Sequence, residues 1–292
     1  MFSGALVAIV TPFRNGEVDE ETLRKLIEFH IENGTSGIVP CGTTGESPTL
    51  SHEEHKRVIE ITVEQVNKRV PVVAGAGSNN TAEAIDLTLH AKKVGADAAL
   101  QITPYYNKPT QEGIFLHFQA LARECAFPLV VYNIAGRTGV NIEPATMARL
   151  AEMPEVVAVK EASGNIAQMA EIYNLCGDKL DLLSGDDGLL LPLLSIGGKG
   201  VISVLNNILP RQVADVVQAW DDGDPVLSRE RFNHLLPLCK AMFIETNPIP
   251  VKTAMAMMGL IPEESMRLPL CPMSPANRER LAGVLRDYGL IQ

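Results

Sequence analysis

Two stretches of the sequence carry residue types suited to covalent chemistry on a carbonyl. In VVAVKEASGN, Val156 to Asn165, four apolar residues run into Lys160, an acid and a Ser-Gly turn. A lysine that ends a buried strand usually carries its ammonium along the stem to water. Walled by apolar side chains at the mouth of a barrel, the charged form instead loses solvation and the pKa falls. The neutral amine can then attack a ketone to give a Schiff base, whose protonated form turns the adjacent methyl carbon into an enamine nucleophile. Such chemistry needs a proton carrier. In PLVVYNIAGRTG, from Pro128, Tyr132 ends a second apolar run, and its ring can point into the same barrel. A phenol with its ordinary pKa of about 10 is a poor base unless other hydroxyls share the proton. Thr44 and Tyr106 could supply that relay, or could simply make hydrogen bonds. Arg137, in the Gly-Arg-Thr-Gly loop that follows, is either a solvated loop residue or a planar fork for a substrate carboxylate.

Metal chemistry has less to work with. His52 and His55 lie three apart on one helical face, without a third ligand or an H-E-x-x-H spacing. Asp186 and Asp187 follow a strand, where acids more often cap the next helix than hold an ion.

The elements that must position these groups are legible as eight short apolar runs. They begin at Ala5, Gly37, Pro71, Ala98, Pro128, Val156, Asp181 and Gly200. Each is continuous rather than alternating, as for parallel strands covered on both faces. Helical patterns separate them: Leu23, Leu26, Ile27 and Ile31 recur at helical spacing before Gly34. The SHEE from Ser51 reads as a capping box, and the NTAE from Asn80 as a similar one with Glu83 in the third position. Eight βα units predict an α/β fold, a (β/α)₈ TIM barrel, over 1–224. The DDGDP near Asp221 reads as a break, and a small C-terminal helical domain is expected over 225–292, with helices near 226–243, 249–258 and 275–288. Barrel enzymes act at the strands' C-terminal ends. Here those ends supply Thr43 and Thr44, Asn79, Tyr105 and Tyr106, Tyr132 with Arg137, Lys160, Gly185 and Asp186, and Ser203.

Composition limits the partners. At 292 residues, with 46% hydrophobic and 21% charged residues, the chain has the make-up of a globular protein. A formal charge of −10 offers no basic surface to a nucleic acid or an anionic membrane. No stretch approaches the length of a membrane span. The opening Met-Phe-Ser-Gly lacks a signal peptide's pattern, and five scattered cysteines suit free thiols, so a cytoplasmic location is expected.

With these residues in place, the sequence resembles the dihydrodipicolinate synthase family, pyruvate-dependent class I aldolases of the N-acetylneuraminate lyase superfamily. GTTGES (Gly42–Ser47), PYYNKP (Pro104–Pro109), YNIAGRTG (Tyr132–Gly139), KEASGN (Lys160–Asn165) and LSGDD (Leu183–Asp187) fall in the family's order along the whole chain. The resemblance implies that Lys160 forms the Schiff base with pyruvate, with no separate cofactor, and that Thr44, Tyr106 and Tyr132 form the relay. Thr43, Thr44, Gly185 and Ile202 would bind pyruvate, and Arg137 the carboxylate of L-aspartate-4-semialdehyde. The product would be 4-hydroxy-tetrahydrodipicolinate, on the diaminopimelate route to lysine. Tyr106 would enter the neighbouring subunit's site in a tight dimer, and two such dimers would form a tetramer. Ser47, Pro48, His52, His55, Asn79, Glu83 and Tyr105 match the positions of the family's inhibitory lysine site.

Two features separate this chain from the superfamily's sialic acid lyases, which lack an arginine in the place of Arg137 and carry threonine where Ala162 stands. A sialic acid or 2-keto-3-deoxy sugar acid lyase is the alternative within the superfamily. Outside it stand a metal-dependent aldolase and a barrel that has lost catalysis. Ala135 departs from the family's pattern, which has proline there, and predicts a less rigid Arg137 loop.

Overall fold

Each apolar run yields a parallel strand shorter than itself. In the computed structural model, which describes residues 2–292, these are β1 (Gly4–Ala8), β2 (Gly37–Val39), β3 (Val73–Gly75) and β4 (Ala98–Ile102). They are followed by β5 (Leu129–Asn133), β6 (Val156–Glu161), β7 (Asp181–Ser184) and β8 (Gly200–Ser203). They pair in the order β2–β1–β8–β7–β6–β5–β4–β3. A parallel bridge between Ile38 and Val72 closes the ring. Backbone bonds from Ile38 N to Pro71 O and from Gly75 N to Pro40 O, both 2.9 Å, reinforce it. The eight strands therefore form a barrel without a free edge.

Eight helices alternate with the strands: α1 (Glu20–Glu32), α2 (His52–Val66), α3 (Thr81–Val94), α4 (Gln111–Cys125), α5 (Pro144–Leu150), α6 (Ile166–Cys176), α7 (Leu190–Ser195) and α8 (Pro210–Asp221). The barrel interior is one apolar cluster that includes Leu6, Val39, Val73, Leu100, Val130 and Leu183. A larger cluster lies between strands and helices, with Val7, Ile38, Val131 and Val159 on the strand side. This double burial is why the strands read as continuous apolar runs. Among the described residues no helix is long and apolar enough to cross a membrane.

The caps show where sequence pattern and structure agree and part. Ser51 and Glu54 exchange both bonds of a capping box, Glu54 N to Ser51 Oγ at 3.2 Å and Ser51 N to Glu54 Oε2 at 2.8 Å. Asn80 does cap α3 through Ala82 N, but its own N–H goes to Ser78 Oγ. Glu83 instead takes the Ser78 hydroxyl and His52, so NTAE is not a capping box. The strand expected to continue from Gly37 stops at Val39. Cys41 and Glu46 adopt left-handed φ values of 54° and 55°, which no ladder accommodates.

Beyond α8, Asp224 caps α9 (Pro225–Ala241) through Leu227 N, and α10 (Ile249–Met257) and α11 (Pro275–Asp287) follow. These match the three helices expected from the sequence to within two residues. A short hairpin, Phe13–Arg14 paired with Glu17–Val18, lies between β1 and α1. Arg267, in the segment between α10 and α11, donates to its Gly16 carbonyl at 2.7 Å.

Candidate active site at the barrel mouth

A bulge turns Lys160 into the barrel. On β5 the step from Leu129 to Val130 passes from the outer cluster to the inner one. β6 uses two residues for the same step, since Val156 pairs with Leu129 and Ala158 with Val130. Val157 is the extra residue, and it shifts the phase of everything after it. Ala158 and Lys160 then face inward while Val159 faces the helices. Lys160 pairs with Tyr132 and with Leu183, both interior residues. It is buried, and its Nζ lies 4.4 Å from the centroid of the Tyr132 ring. The neighbouring acid, Glu161, points to the opposite face, where Asn133 Nδ2 (3.0 Å) and Ser163 N (2.7 Å) donate to it. Burial raises the Glu161 carboxyl above the ordinary range, against those bonds.

Gly185 follows β7 beside the lysine stem. A Cβ there would stand 2.7 Å from Ala162 Cβ and 3.0 Å from Lys160 Cε, so only glycine leaves the stem its course. Ile202 is fully buried on β8, within the interior cluster.

Thr44 sits in a tight turn after β2, closed by Gly45 N to Gly42 O and Glu46 N to Thr43 O, both 3.1 Å. It is 2% exposed, and Asn247 Nδ2 donates to its Oγ1 at 3.0 Å. Arg137 lies on a single helical turn, Ala135–Thr138, and its Nη2 donates to Asn247 O at 3.1 Å. Ala135 occupies the first position of that turn, where a proline's missing N–H costs nothing. Thr138 Oγ1 bonds back to Ile134 O at 3.1 Å.

Tyr106 is the exception among the expected relay residues. It has a left-handed φ of 70°, is 87% exposed, and projects from the loop after β4. A single chain brings Lys160 and Tyr132 together and fixes Thr44 through Asn247, but leaves Tyr106 exposed.

A cavity of about 430 Å³ joins two sets of residues that the sequence separates. Thr43 and Arg137 line it together with Ser47, Pro48, His52, His55, Glu83 and Tyr105. Asn79 is not on its wall; it donates to Tyr105 O at 3.1 Å. A narrow crevice of about 30 Å³, shared through Thr43, Ser47, Gly77 and Ile102, leads on to Tyr132. His52 Nε2 lies 2.9 Å from Glu83 Oε1, and His55 Nε2 lies 2.6 Å from Gly75 O. Burial lowers the His55 pKa. Asp186 caps the turn that follows β7, its Oδ1 taking Gly188 N, whereas buried Asp187 caps nothing of its own turn and takes Val204 N, Leu205 N and the Ser203 hydroxyl at the end of β8.

Sequence reasoning missed the C-terminal contribution. Lys252 and Glu46 form an ion pair with both side chains 0% exposed. Burial pulls the Lys252 ammonium below the usual lysine range, and Glu46 opposes that pull. Lys252 carried the same signal as Lys160, a charge set in an apolar run, IPVKTAMAMM. Asn247 gave no signal of its own.

Fold and constellation together define a (β/α)₈-barrel enzyme of the aldolase-type lyase class. The profile of the Dihydrodipicolinate synthetase family matches residues 1–287, and the chain belongs to that family. The 4-hydroxy-tetrahydrodipicolinate synthase of Syntrophobacter fumaroxidans is 62% identical over 291 residues, covering 100% of both chains. The chloride-inhibited dihydrodipicolinate synthase of Acinetobacter baumannii, solved in complex with pyruvate, superposes with a TM-score of 0.97 at 45% identity and 100% coverage of each chain. The enzyme of Cyanidioschyzon merolae, solved with lysine bound, gives 0.96 at 40% identity and 99% coverage of each.

Proposed function

We propose that the chain is a 4-hydroxy-tetrahydrodipicolinate synthase that joins pyruvate to L-aspartate-4-semialdehyde through a Schiff base on Lys160. The observation that carries this is the inward, buried Lys160 amine against the Tyr132 ring, its neighbouring acid turned away. In its neutral form the amine adds to the pyruvate carbonyl, and loss of water gives the imine. The iminium draws electrons from the methyl group, which gives up a proton to the hydroxyl relay and becomes an enamine. The enamine carbon attacks the semialdehyde carbonyl, and the new alkoxide takes a proton from the relay. The substrate's own amine then displaces Lys160 as the ring closes, which frees the enzyme. Arg137, exposed at the cavity wall, suits the semialdehyde's carboxylate. No further cofactor is required.

The exposed Tyr106 supports a homo-oligomer in which each chain completes its neighbour's relay, with tight dimers pairing into a tetramer. The reading places the enzyme in the cytoplasm, in accord with five free cysteines, four of them buried. It also makes lysine a feedback inhibitor. The cavity walled by Ser47, Pro48, His52, His55, Glu83 and Tyr105 offers a carboxylate for an ammonium and hydroxyls and imidazoles for a carboxylate. A steady-state rate that stays flat as lysine is titrated to millimolar levels removes this regulatory part. The activity itself is tested by turnover. Pyruvate should be consumed with L-aspartate-4-semialdehyde and not with sugar aldehydes, and the reverse preference would make the chain a sugar acid lyase.

A further inference from the structure

The C-terminal segment reaches the proton relay through two contacts made five residues apart. Asn247 Nδ2 donates to Thr44 Oγ1 at 3.0 Å, and Asn247 O accepts from Arg137 Nη2 at 3.1 Å. Lys252, in the first turn of α10, holds Glu46, two residues beyond Thr44. The second Glu46 oxygen accepts from Arg267 N at 3.2 Å, and Lys252 donates also to Ser265 O at 2.8 Å. We infer that Asn247 is a positioning residue for the reaction: it fixes the Thr44 hydroxyl, while the Lys252–Glu46 pair fixes the turn that carries it. This rests on the function proposed above.

The chemistry of the hydroxyl supports the assignment. A threonine oxygen has one proton to give and two lone pairs. With one lone pair filled by the Asn247 amide, its O–H is left to point elsewhere and the second lone pair stays open. That is the state a relay member needs. The same residue spaces the Thr44 turn from Arg137, so proton transfer and carboxylate binding share one ruler. Asn247 is 5% exposed, and its Oδ1 is buried without a partner among the described residues. An unpaired buried carbonyl is costly, and an anchor that served folding alone would gain from replacing it with an apolar side chain.

The test is a double-mutant cycle between Asn247→Ala and Thr44→Val in the full-length enzyme, read as kcat and KM for pyruvate. Asn247→Ala should lower kcat by roughly 10²-fold through misplacement of the relay, with any rise in KM for pyruvate no larger than that of Thr44→Val and with Lys160 still trapped by borohydride with pyruvate. In the Thr44→Val background the same change should cost almost nothing more. Losses that multiply, or an Asn247→Ala enzyme as fast as the parent, overturn the inference. Asn247→Asp, which keeps the shape and removes the donor, runs the same cycle if the alanine variant does not fold. A parent enzyme that fails to turn over the semialdehyde, or is not labelled on Lys160, defeats the proposed function instead.

Discussion

The space beside the lysine stem offers a steric test that leaves every polar group in place. Replacing Gly185 by alanine puts a methyl 2.7 Å from Ala162 Cβ, 3.0 Å from Lys160 Cε and 3.2 Å from Lys160 Cγ. Carbon atoms in ordinary contact are about 3.5–4.0 Å apart, so roughly 1 Å of movement is required. Ala162 is held by its backbone, Ala162 N to Asn133 O at 2.8 Å, so most of the shift falls on the lysine stem. A displacement of about 1 Å at a reacting group costs roughly 10²-fold in rate, or about 2.7 kcal/mol of barrier. Overpacking should cost a further 1–3 kcal/mol or so of stability, which leaves the protein folded. The assay is kcat at saturating pyruvate and semialdehyde, alongside the rate of borohydride trapping and a urea unfolding curve. Gly283→Ala, on α11 with no atom within 4 Å of the added methyl, is the control and should keep full activity. A Gly185→Ala enzyme as fast as the parent, and trapped as readily, refutes the claim that Lys160 lies along this glycine.

Lys252→Met should lower unfolding free energy by about 3–5 kcal/mol, because it strands the Glu46 carboxylate in a dry interior. The double variant Glu46→Gln/Lys252→Met should regain most of that in the same urea titration. His30 should make the fold acid-sensitive: burial holds its imidazole down from 6.5 to about 3. The unfolded chain therefore takes up a proton first, so stability is full above pH 6.5 and falls as pH drops toward 3. The slope approaches about 1.4 kcal/mol per pH unit from this group, and His30→Asn should flatten the stability curve over that window. Lys160→Ala should fold as the parent does and lose nearly all turnover, as checked by circular dichroism and the steady-state rate.

The barrel was legible because strands buried on both faces leave unbroken apolar runs, and eight of them recur at even spacing. The helix caps were legible where a single turn determines them, as at Ser51. Long-range partners were not: nothing local distinguishes Glu83 as a cap from Glu83 as the partner of His52. The inward direction of Lys160 was also hidden. Counting by twos from outward-facing Val156 puts Lys160 on the outer face, and only the extra residue at Val157, visible in pairing with β5, reverses it. Tyr106 shows another limit: its residue type and position after β4 suggested a relay member, and nothing local revealed that its side chain stands 87% exposed, outside the site one chain forms. Asn247 stands 203 residues from Thr44 in sequence and Lys252 stands 206 from Glu46, beyond any local pattern.

The most direct test is chemical capture of the intermediate. The enzyme is incubated with pyruvate, reduced with borohydride, digested and mapped by mass. Reduction should add one pyruvate-derived group to the peptide containing Lys160 and to no other. Label on another lysine, or a protein that stays unlabelled while turning over pyruvate, contradicts covalent catalysis at the sixth strand.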